Sequence, residues 1–97
     1  MIVVEQTATG DPMAFSVTVR EGASETRHQV TMGQTTYHRL TGGKVSPADC
    51  VQAAFHFLLE REAKESILAR FDITVIARYF PTFERDLPHY LARARED

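Results

Sequence analysis

Apolar and polar side chains alternate over the first third of the chain, and the period then lengthens. In 13–20, MAFSVTVR, Met13, Phe15, Val17 and Val19 point one way, while Ala14, Ser16, Thr18 and Arg20 point the other. In 26–32, TRHQVTM, the alternation returns with His28, Val30 and Met32 on one face. A period of two is that of a strand, and two such runs around the Gly-containing EGASE predict a β-hairpin with one apolar face. The polar face carries Ser16, Thr18, Arg20, Arg27, Gln29 and Thr31, the pattern of an antiparallel sheet wet on one side. MIVVEQ, 1–6, predicts a further edge strand, and TGDP, 9–12, a turn.

The helical period begins after a short predicted turn at 35–43, with Tyr37 and Leu40 inward and Gly42 or Gly43 closing it. VSPAD then supplies a start signal: Ser46 as N-cap, Pro47 in the first turn and Asp49 near the positive end of the dipole. A helix follows over 47–62. Its main stripe is Val51, Ala54, Phe55, Leu58 and Leu59, widened by Cys50 and Phe57, with Gln52, His56 and Glu60 opposite. The phase breaks twice afterwards. Ile67, Leu68 and Phe71 fall on the far side of a continued helix, which predicts a bend at 61–65 and a second helix at 64–71. At Asp72 the phase shifts again, and its carboxylate suits an N-cap. The segment 73–80 reads as a helix through Ile73, Ile76, Ala77 and Phe80, with the β-branched Thr74, Val75 and Ile76 arguing for a strand. Pro81 opens a last helix over 82–94, with Phe83, Leu87, Tyr90 and Leu91 on one face and Pro88 expected to kink or split it. The expectation is one α+β domain, a β-sheet part at 1–33 packed against a helical part at 46–94.

Composition narrows the function. The 97 residues, 43% apolar and 25% charged, suit one ordinary globular core. The formal charge of −2 is well mixed, so no segment is basic enough to neutralise a run of phosphates. Cys50 is the only cysteine, which excludes an intrachain disulfide and points to a reducing compartment, and the N-terminal residues lack the pattern of a secretory signal; a cytosolic location is expected. No apolar run is long enough to span a membrane.

Catalytic and metal chemistry find little to work with. His28, His38, His56, His89 and Cys50 form no short ligand pair, and the histidines read as surface or edge residues. Ser24 lacks the second glycine of a nucleophile elbow. TGGKVS fails as a phosphate loop, because His38 stands where the first glycine belongs and Val45 follows Lys44. No cofactor, metal site or catalytic residue is expected. The strings EGASETRHQVT, FLLEREAKESILARFD and VIARYFPTFE resemble those of a family of small uncharacterised bacterial proteins. That resemblance implies a cytosolic bacterial setting and no particular chemistry.

Surface apolarity remains. On a 73–80 helix, Val75 and Tyr79 lie off the core stripe and need a second neighbour. The leading expectation is therefore a non-enzymatic protein-interaction module that self-associates, as a homodimer, through 73–91, with Val75, Tyr79 and Arg78 at the contact. The alternative is a small nucleic-acid-binding regulator that uses a bent helix pair at 64–80 together with Arg27, Arg70 and Arg78.

Overall fold

The computed structural model describes residues 1–96, with side chains through Arg93. Three strands come first: β1 (Ile2–Ala8), β2 (Met13–Glu21) and β3 (Ser24–Met32). They form an antiparallel meander in which Val4 faces Val17 and Val17 faces His28. The β2–β3 turn is only two residues long, and Gly22 sits there at φ 61°. A positive φ in a tight hairpin turn is the place for glycine. Helix α1 (Gln34–Thr41) follows, closed by Gly42 at φ 65°, and then α2 (Pro47–Leu59). Ser46 caps α2 by accepting the Asp49 N–H at 3.1 Å, as VSPAD predicts. The helix ends at Leu59, three residues short of the expected end.

The predicted helix at 64–71 does not form. A single 3₁₀ turn spans Lys64–Ser66, the chain extends, and β4 (Arg70–Asp72) joins the outer edge of β3 in parallel. The sheet order is β1-β2-β3-β4. The spacing of Ile67 and Phe71 suits a helix, but the unpaired edge of β3 offers the backbone a ladder, and the Gln29 N–H bonds the Ala69 carbonyl at 2.8 Å. The corner at Asp72 is present. Its Oδ2 accepts the Thr74 N–H at 3.1 Å and the Thr74 hydroxyl at 2.7 Å, capping a 3₁₀ turn (Ile73–Val75) that runs into α3 (Ile76–Tyr79). The segment 73–79 is thus helical rather than extended. Helix α4 (Phe83–Glu96) runs unbroken through Pro88. The ring sits on the exposed side, where water can satisfy the carbonyl that loses its partner.

Phe55 and Phe57, two apart on α2, point to opposite sides and fix the layering. The Phe55 ring packs on His28 at 5.3 Å and on Phe71 at 6.0 Å, against the sheet. Phe57 meets Phe80, Phe83 and Tyr90 edge-on at 5.0–5.9 Å, against the C-terminal helices. α2 therefore lies between the sheet and α4, which is why its buried set includes Cys50, Ala53 and Phe57 beyond the main stripe. The architecture is α+β, with strands at the N-terminus and helices toward the C-terminus. Among the described residues no helix is long and apolar enough to cross a membrane.

Candidate functional site

Everything that shapes the site follows from the chain's path after α2. The Lys64 side chain is almost fully covered and pairs with Glu65 at 2.7 Å and Glu21 at 3.5 Å, pinning the 3₁₀ turn to the end of the β2–β3 hairpin. The Glu65 carboxylate on that ammonium raises the pKa of Lys64 and is itself held below its ordinary value by it. Next along the chain, the Leu68 carbonyl accepts from His28 Nδ1 at 2.8 Å, and His28 Nε2 lies 2.9 Å from the Thr26 hydroxyl. A carbonyl only accepts, so Nδ1 carries a proton. His28 is 2% exposed, a core residue rather than the surface or edge residue expected. Its Nδ1 partner is a backbone carbonyl forty residues away, which no local pattern announces.

On the far side of the corner, Thr31 donates to Asp72 Oδ1 at 2.6 Å. Burial alone would raise the Asp72 pKa, but the bonds from Thr31 and Thr74 outweigh it and the pKa is lowered. Held at both ends, the 66–68 segment and the 75–80 segment stand apart and leave a groove of about 210 Å³ between them. Buried Leu58, Ile67, Phe71 and Ile76 form its floor, and half-buried Val75 and Phe80 its wall. Leu68 and Tyr79 stand on the rim, 48% and 68% exposed. Glu62 and Ser66 are the polar lining residues.

Two of the three residues expected at a contact, Val75 and Tyr79, thus share one groove, and α4 leaves Tyr79 uncovered. Arg78 is exposed on α3 but does not line it. Leu58, Ile67, Leu68 and Phe71 were not expected at a contact surface, because Leu58 belongs to the core stripe of the 47–62 helix and a 64–71 helix would turn the other three into the core. The bent helix pair of the nucleic-acid alternative is absent, since β4 stands where its first helix would be. Arg27 and Arg70 do share the open sheet face, because Arg70 pairs with Gln29, two residues beyond Arg27. Arg27 and Arg20 are both bonded to Glu25, at 3.0 and 2.7 Å, and their guanidinium groups lower its pKa. Arg78 lies apart on α3.

The groove's volume is below the roughly 300–1,000 Å³ of small-molecule and cofactor sites, and few polar groups converge on it. It suits an apolar side chain offered by another surface. Among the described residues no three His, Cys, Asp or Glu side chains come together as a metal ion would require. Compared with protein-family models, curated proteins and solved structures, the chain gives no match.

Proposed function

We propose that this chain is a non-enzymatic protein-interaction module whose groove receives apolar anchor residues from a protein partner. The observation that carries the reading is the pair Leu68 and Tyr79, large apolar side chains left in water on either side of a preformed apolar trough. Binding energy in protein interfaces concentrates on a few aromatic and aliphatic anchors seated in pockets, and Tyr is favoured among them. The trough is short and open, which suits an amphipathic helix presenting residues spaced three or four apart. A cytosolic setting fits the single buried thiol, Cys50.

Selection of a displayed peptide library on the immobilised protein tests this. Enriched peptides should carry apolar pairs at helical spacing and move the amide resonances of Leu68, Val75 and Tyr79. Tyr79→Ser should cut their affinity roughly tenfold while changing stability by less than about 0.5 kcal/mol, since the ring is mostly in water. A footprint on the open sheet face, or no enrichment at all, would refute the reading.

A further inference from the structure

The described residues leave four large apolar side chains in water, and the two away from the groove, Met1 (76%) and Val3 (46%), lie at the start of the sheet's first strand. Strand β1 is an edge. Met1 and Arg20 exchange both backbone bonds, at 2.9 and 2.7 Å, so they are a closely paired couple. In an antiparallel ladder such couples alternate with pairs whose backbone groups face away. The register Ile2–Val19, Val3–Thr18, Val4–Val17 then assigns Met1, Val3 and Glu5 to β2 and turns the N–H and C=O groups of Ile2, Val4 and Gln6 outward, off the sheet. Edge strands are usually blunted by lysine, proline or an early bulge. The sequence IVVEQTA has no lysine or proline, and its register shift comes only between Gln6 and Ala8.

We propose that β1 pairs with β1 of a second copy of this chain, antiparallel, across a twofold axis at Val4, so that the two sheets become one. This proposal is independent of the groove reading. The register follows from the outward groups and the charge. Val4 on Val4 sets Ile2 opposite Gln6 and satisfies all three outward-facing residues of each strand. A slip that brings Ile2 opposite Val4 strands the groups of Gln6. The opposite slip places Glu5 directly against Glu5, and like charges in that position repel. In the favoured register Val3 faces Glu5 of the other copy on the open side, while Ile2 and Val4, half-buried in one copy, are covered by the other. The contact is isologous, as a twofold dimer requires. The grooves lie beside β4, at the other end of the strand order, and stay open, so the dimer presents two of them.

The test is sedimentation equilibrium of the full chain from low to high micromolar concentration, with charge variants at Val3. Val3→Glu sets a carboxylate against Glu5 of the other copy twice per dimer and should weaken association roughly tenfold, whereas Val3→Lys should preserve or tighten it. Val3→Glu combined with Glu5→Lys should restore it. Hydrogen exchange should be slow at the amides of Ile2, Val4 and Gln6 in the dimer and fast in the Val3→Glu variant. A chain that stays monomeric at high micromolar concentration overturns the proposal. Equal weakening by Val3→Glu and Val3→Lys does so too, and so does a dimer whose Ile2, Val4 and Gln6 amides exchange freely. That last outcome together with protection at Leu68 and Tyr79 would move self-association to the groove.

Discussion

Replacing Asp72 probes the corner on which the groove depends. Its carboxylate accepts from the Thr31 hydroxyl at 2.6 Å, the Thr74 hydroxyl at 2.7 Å and the Thr74 N–H at 3.1 Å. Asp72→Ala removes all three. Losing an N-cap costs about 1 kcal/mol. The Thr31 bond, made to a charged but half-exposed acceptor, is worth about 1 kcal/mol, and the Thr74 hydroxyl, which can turn to water, about 0.5 kcal/mol. The expected loss is about 2.5 kcal/mol, or roughly 10–20 °C in Tm for a domain of this size. Asp72→Asn keeps an acceptor for the cap and should lose only about 1 kcal/mol.

The charge makes a second, sharper check. The folded-state pKa of Asp72 is lowered relative to the unfolded chain. Stability from its ionisation is therefore fully present above the unfolded value near 3.9 and disappears as pH falls through the folded value. Urea titrations of wild type and Asp72→Asn from neutral to acid pH should show their difference shrinking only below about pH 4. Two results would break the reasoning: Asp72→Ala within about 0.5 kcal/mol of wild type, or a wild-type-to-Asn difference that is constant across the whole pH range.

Arg61 ties the end of α2 to α4: its guanidinium lies 3.6 Å over the Phe57 ring and donates to the Phe57 carbonyl at 3.0 Å and the Tyr90 hydroxyl at 3.1 Å. Arg61→Ala should cost about 2 kcal/mol in chemical denaturation, and Arg61→Lys should recover less than half, because an ammonium cannot stack and fork at once. For Cys50, burial pushes the thiol up to about 12. A disulfide reagent at about pH 8 should leave the native protein unlabelled and react at the unfolding rate when urea is added; prompt full labelling without urea would contradict the buried position.

Much of the fold was readable wherever local and long-range preferences agree. Met13, Phe15, Val17 and Val19 alternate because one sheet face is dry, and all four are buried. Ser46-Pro47-Ala48-Asp49 starts α2 through chemistry within four residues. At 64–72 the two levels disagree. Ile67 and Phe71 carry a helical spacing, while Arg70, Phe71, Asp72 and Ile73 carry an alternating one; the edge of β3, distant in sequence, decides for the strand. The same long reach hid His28, whose place on the apolar face was legible but whose partner at Leu68 was not. Of the groove, Val75 and Tyr79 stood out as surplus apolar positions on a helix. Leu68 did not, because its exposure depends on an extended segment that the periodicity of Ile67 and Phe71 argued against.

The parallel docking of β4 onto β3 has a consequence for the chain while it is being made. The apolar sheet face formed by Phe15, Val17 and Val30 is complete once Met32 has emerged from the ribosome. Its cover arrives later with Phe55 on α2, and Phe71 on β4 then closes the open edge of β3. At about 5–20 residues per second, a nascent meander waits roughly 2–8 s for both, oily on one side and open at both edges. Rare codons between Met32 and Phe71 would lengthen the wait and should raise the share of protein lost to aggregation, whereas the same codons after Leu91 should not.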